Sequence, residues 1–180
     1  MINKSIAIYV FIDDLLKKIE YKEPTNRNMS DAEIITTVLV SAIYFSGHHE
    51  KAMSFMSSTG MIKHMLSKSR FNRRLHQIRD LIVDLFFQLS ALVKELNIGS
   101  EYSIDSFPVS TCDNIRIIRT KLVQGAVYCG KKVSMRKRIE SAFSEISNFL
   151  PKKIHAVTEF GFLLKVVIFI FGYTISRTLF

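Results

Sequence analysis

The chain has 180 residues, 48% of them hydrophobic, and a net charge of +9 from 25 Lys and Arg against 16 Asp and Glu. That apolar content excludes a disordered polypeptide, and the length suits one domain or two small ones. The charge is uneven, −1 over residues 1–60, +4 over 61–98 and +6 over 99–180, so the basic two thirds point to a polyanion partner.

In chain order, Ile6 to Glu20 reads as a helix with Ile12, Leu15, Leu16 and Ile19 on its inner side. Tyr21 to Met29, with Pro24 and Asn26, is a loop. Ser30-Asp31-Ala32-Glu33 has the spacing of a capping box, opening a helix that turns Ile35, Val38, Leu39, Ala42 and Ile43 inward. Gly47 ends it, and His49 to Ser57 makes a short helix. Ser69 then caps a long helix running to Asn97 and stopped by Gly99. Phe71, Leu75, Ile78, Ile82, Leu85, Leu89, Leu92 and Leu96 form its heptad seam, widened by Leu81, Phe86 and Val93. The widening favours packing inside a bundle, with dimerisation through the seam as the alternative. Tyr102 to Ser106 reads as a short strand, and Ile115 to Ile118 as a second extended stretch. A polar join at Gly125 to Ser134 leads to a helix from Arg136 to Phe149, which Pro151 breaks. A last helix spans Val157 to Arg177. The fold class is therefore mainly α: an N-terminal helical bundle, a small β element and C-terminal helices. Residues 1–98 form the helical region and 99–180 the second region.

Cys112 and Cys129 lack CxxC or CxH spacing, which fits reduced cytoplasmic thiols better than a disulfide frame or zinc site. The opening apolar run meets Asp13 and Asp14 too soon for a signal peptide. Phe160 to Ile175 is strongly apolar but short of the roughly 20 residues a membrane helix needs. It also carries Lys165 near its centre. It reads as a core helix deprived of a sheet partner, with no role in a membrane and a tendency to aggregate if left uncovered.

The candidate functional residues are two carboxylates and a set of cations. Asp105 stands where an apolar strand meets a turn, a rigid position for a metal ligand, although a turn-capping Asp is the plainer reading of that spacing. Glu140 follows Arg136, Lys137 and Arg138 at a helix opening, where the carboxylate could face metal while the cations hold phosphate. Its rival role is an i, i+4 pair with Arg136, in the poorer orientation. The 34 residues between Asp105 and Glu140 resemble the spacing of the last two acids in integrase-like enzymes. That reading would need Asp80 or Asp84 as the first acid, and both lie mid-helix. Asp113 reads as a solvated turn residue. Lys68, Arg70, Arg73, Arg74 and Arg79 give the start of the long helix a basic face, and Asn72, His76 and Gln77 among them can read base edges. A solvated face on a core helix is the alternative. His48, His49 and Glu50 read as polar surface residues, since adjacent histidines on a helix diverge. His64, His76 and His155 are isolated.

Two blocks carry a family resemblance. One runs from Ser67-Lys68-Ser69-Arg70-Phe71-Asn72-Arg73-Arg74-Leu75-His76 through Ile104-Asp105-Ser106-Phe107-Pro108-Val109 and Cys112-Asp113-Asn114-Ile115-Arg116. The other runs from Arg138-Ile139-Glu140 through Phe149-Leu150-Pro151-Lys152-Lys153-Ile154-His155-Ala156-Val157-Thr158 and Gly161-Phe162-Leu163-Leu164-Lys165. Together they resemble the DDE transposases of the insertion sequence 982 group over nearly the whole chain. Family members are considerably longer, and the missing part falls between about Gly130 and Arg136. The resemblance implies a truncated ribonuclease H-like domain that has lost the strand bearing the second catalytic Asp. It makes Asp105 the first catalytic Asp and Glu140 the final catalytic Glu, both Mg2+ ligands. Arg138 and Lys152 or Lys153 become phosphate contacts, and the N-terminal helices a DNA-end recognition part. It implies transposition at terminal inverted repeats by two-metal phosphoryl transfer. With a carboxylate gone, Mg2+ binding should be weak and catalysis lost or severely impaired. The alternative is a non-catalytic DNA-binding fragment that pairs with itself or with full-length transposase and represses transposition.

Overall fold

The first helix, α1 (Ile2–Lys18), buries Ser5, Ile8, Ile12, Leu15 and Leu16, a three-and-four spacing that lines one face of a 3.6-residue period. This is a computed structural model that describes residues 1–96 and 144–180. The described residues are mainly helical and contain no strand. The strand expected at Tyr102 to Ser106, the stretch at Ile115 to Ile118, and the residues Asp105, Asp113, Arg136, Arg138 and Glu140 lie outside them.

α2 (Asp31–Tyr44) starts at the expected capping box: Glu33 N–H donates to Ser30 Oγ over 3.1 Å, and Ser30 N–H donates to a Glu33 carboxylate oxygen over 2.7 Å. Two of the first-turn amides that a helix leaves unsatisfied are thereby paired. α2 is buried all round from Ile34 to Ala42, which marks it as the central helix. It packs against α1, against α3 (His49–Ser58) and α4 (Lys68–Gln77), and against α6 (Glu159–Leu179). Gly47 turns the chain out of α2 with φ +81, its N–H returning to the Ser41 carbonyl over 2.8 Å. A Cβ at Gly47 would stand 2.6 Å from Phe169 Cζ, so conformation and space both demand glycine.

The long helix expected from Ser69 to Asn97 is two helices. Ser67, not Ser69, is the N-cap of α4, and the chain bends at Ile78 before α5 (Arg79–Leu96). The interruption is short: Ile78 N–H still bonds the Arg74 carbonyl and Ile82 N–H the Ile78 carbonyl, each over 3.1 Å. Its cause is tertiary, because α4 packs on α2 while α5 packs on α6. The seam holds from Phe71 through Leu89, all buried, then fades to partly buried Leu92 and exposed Leu96.

A helical stretch at 144–149 ends before Pro151, and buried Ile154 anchors the segment leading into α6. By length and composition α6 could cross a membrane, with mean hydropathy 1.6. Here its apolar side meets protein: Phe162, Leu164, Ile168, Phe169, Phe171 and Ile175 are buried, and α6 lies on α2 and α5. Each such side chain contributes about 1.5–3 kcal/mol relative to exposure. Among the described residues α2 and α5 thus cover this side of the helix, while Phe160 and Leu163 stay exposed. A Cβ at Gly172 would lie 3.3 Å from both Ala42 Cβ and Ile43 Cγ1, so the α2 and α6 backbones approach closely there. One apolar cluster joins Ile8, Leu39 and Leu85 to Phe171 and Ile175, and so draws on both sides of the boundary expected at residue 98.

Candidate nucleic-acid interface

α4 presents three faces because its ten residues turn by about 100° each. Phe71 and Leu75 point into the core, with Arg74 beside them. Ser69, Arg70, Arg73 and Gln77 are exposed. Lys68, Asn72 and His76 make the third face, the wall of a cavity.

Arg74, one of the expected DNA contacts, lies on the inner face. The Arg74 side chain is 11% exposed, and its Nη2 donates to Asp31 Oδ1 over 2.5 Å, with a Glu23 carboxylate oxygen 3.9 Å away. Asp31 is fully buried and also accepts from the Tyr21 hydroxyl over 2.9 Å and from Arg27 over 3.4 Å. Burial pushes the Asp31 carboxyl above its ordinary range, and the Tyr21 bond and the Arg27 charge pull it back. Burial, joined by the bond to Asp31, pushes the Tyr21 hydroxyl up to about 12. Arg74 is therefore a clamp holding α4 on the N-terminal turn of α2. Arg79 also leaves the basic face, pairing with Asp80 over 2.9 Å and lying 5.2 Å over the Phe160 ring.

The outer face keeps Arg70 and Arg73 as exposed cations, with Gln77 one turn on and no acid among α4's ten residues. The spacing of Arg70, Arg73 and Gln77 places them along one stripe. On a helix held by Phe71, Leu75 and Arg74, that stripe presents two cations and one side-chain amide to solvent. Lys152 and Lys153 are exposed on the segment that runs into the cavity wall.

The third face closes a cavity of about 540 Å³ with the first turn of α3, the segment 155–158 and the start of α6. His49, expected on the surface, is partly buried: its ring packs edge-on against Phe71 at 5.9 Å, and the Asn72 side chain hydrogen-bonds it. Burial, opposed by the Asn72 bond and reinforced by the charges of Lys165, His48 and His76, holds the imidazole below its ordinary value. Asn72 is thus engaged by His49 and His76 lines the cavity, while Gln77 stands on the outer face. Lys165 is half-buried, donates to the His155 carbonyl and has no carboxylate partner among the described residues. Burial lowers its pKa. Among the described residues the one acid at the rim, Glu50, is paired with Lys68 over 2.5 Å. Among the described residues no three His, Cys, Asp or Glu side chains stand close enough to hold a metal. The Mg2+ expected at Asp105 and Glu140 concerns residues outside that set.

No family model, curated protein or solved structure matches the chain. Sequence reasoning did not assemble His49, Lys165 and His155, which come from three separate segments. The available signal was Lys165 itself, a charge placed between buried Leu164 and Ile168 in an apolar run.

Proposed function

We propose that this chain is a catalytically impaired transposase of a bacterial insertion sequence whose working activity is duplex DNA binding through the outer face of α4. The observation that carries this reading is the stripe of Arg70, Arg73 and Gln77, exposed and free of acids on a helix fixed by a buried ion pair. The +4 charge of residues 61–98 supports it. So does the likeness of residues 67–116 and 138–165 to the insertion sequence 982 transposases. Phosphate contacts from the arginines would set register while Gln77 reaches a base edge in the major groove. Occupying terminal inverted repeats without cutting them would repress transposition by a full-length enzyme, with which the chain could also pair.

Fluorescence anisotropy with inverted-repeat and scrambled duplexes tests this. The inverted repeat should bind more tightly. Arg70→Ala with Arg73→Ala should weaken both duplexes and lower the salt slope by about two. Equal affinity for the two duplexes would remove the reading. Catalytic impairment is tested separately by Mg2+-dependent nicking of the same DNA. Nicking that disappears in both Asp105→Ala and Glu140→Ala would show an intact active centre.

A further inference from the structure

The cavity beside α4 has a chemistry that duplex binding does not use. Among the described residues its lysines come from three elements: Lys51 on α3, Lys68 on α4 and Lys165 on α6. Lys68 is neutralised by Glu50, whereas Lys165 is half-buried with only a backbone carbonyl as acceptor among the described residues. An ammonium group drawn partly out of water calls for a counter-charge. The first turn of α3 also opens here. Its cap residue, His48, makes no side-chain capping hydrogen bond, and the first-turn acid, Glu50, is engaged by Lys68. The same three helices also give the cavity an apolar wall, from Met53, Leu75, Leu164 and Ile168. The volume of about 540 Å³ lies in the range of small-molecule sites and exceeds what a bare inorganic anion fills.

We infer that this cavity binds a phosphate monoester, with Lys165 as the inner seat of the phosphate, Lys51 and the α3 amides at its mouth, and the apolar wall against the organic part. A terminal phosphate carries close to two negative charges near neutral pH, matching the two lysines not committed to Glu50. Two sources offer this chemistry, a free nucleotide and the 5′-terminal nucleotide of a DNA strand. The inference does not depend on duplex binding, because Arg70 and Arg73 lie on another face.

Calorimetry on the full chain at pH 6.5 and low salt tests it with adenosine 5′-monophosphate and with a single-stranded octamer bearing a 5′-phosphate or a 5′-hydroxyl. Saturable binding of the monophosphate or the phosphorylated octamer is expected, weakened about tenfold by Lys165→Met and several-fold by Lys51→Ala. Arg70→Ala with Arg73→Ala should leave the affinity for adenosine 5′-monophosphate unchanged. Tighter binding of the phosphorylated octamer supports the site and names the strand end as its source. Tighter binding of the mononucleotide supports it and names the free ligand. Absence of saturable binding at millimolar concentration overturns the inference. So does equal binding of the two octamers together with no binding of the monophosphate, or unaltered affinity in both lysine variants. Lys51 is exposed, so its variant keeps the test decisive if Lys165→Met fails to fold.

Discussion

Arg74 and Lys165 are two cations withdrawn from water on the same helical frame, and their surroundings are opposite. Arg74 faces a fully buried Asp31 with Glu23 behind it, and Tyr21 and Arg27 complete the cluster. Lys165 faces a cavity and, among the described residues, a single carbonyl. A charge whose partner is built in fixes architecture, and one without a built-in partner leaves room for a ligand. Composition does not separate the two, since each is one basic residue on a helix with buried neighbours.

Removing each charge in turn is the sharpest way to break this contrast. Arg74→Met should cost about 3 kcal/mol in urea denaturation, because it leaves Asp31 buried with less compensation. A loss under about 1 kcal/mol would show that the clamp is not structural. Ser30→Ala, which frays the turn that presents Asp31, should cost about 1 kcal/mol. The same measurement checks it, and an unchanged value would detach the capping box from the cluster.

The cavity side predicts a pH effect of definite sign. His49 has a folded pKa below its unfolded value, chiefly through burial, with Lys165, His48 and His76 adding to it and Asn72 opposing it. The unfolded chain therefore takes up a proton first as pH falls below about 6.5, and stability is present above that point and lost beneath it. Thermal unfolding between pH 7 and 5 should show this decline, and His49→Gln should flatten it. An equal decline in the variant would assign the effect elsewhere. The smallest change is expected for Lys165→Met, where an apolar side chain replaces an ammonium with no carboxylate to orphan. Its melting temperature should match or slightly exceed that of the parent, in contrast with Arg74→Met.

Much of this architecture was legible from local spacing. The capping box at Ser30 and Glu33, the loop at Tyr21 to Met29 and the buried Ile12, Leu15, Leu16, Ile35, Val38, Leu39 and Ala42 are set by neighbours within one or two turns. By contrast, α1 spans Ile2–Lys18 in place of the expected Ile6 to Glu20, and Ile19 and Ile43 are only partly buried. The bend at Ile78 was not legible, since no Gly or Pro lies between Arg74 and Ile82 and the cause is a change of packing partner. The inward placement of Arg74 could have been read: it lies three residues after Phe71 and four before Ile78, on the same apolar stripe. Its partner 43 residues away could not. Arg70 and Arg73 fall off that stripe, and both are exposed as the period requires. The cavity stayed invisible because each of its walls is ordinary alone, and only the docking of α6 beside α3 and α4 joins them.

The close seating of α6 on α2 at Gly172 has a consequence for biosynthesis. α2 leaves the ribosome well over a hundred residues ahead of its partner, at elongation rates that make the interval several seconds or more. During that time the wall formed by Ala42 and Ile43 stands bare, a natural target for chaperones that hold nascent chains. The yield of native protein should therefore depend on translation speed and chaperone supply more than its modest size would suggest.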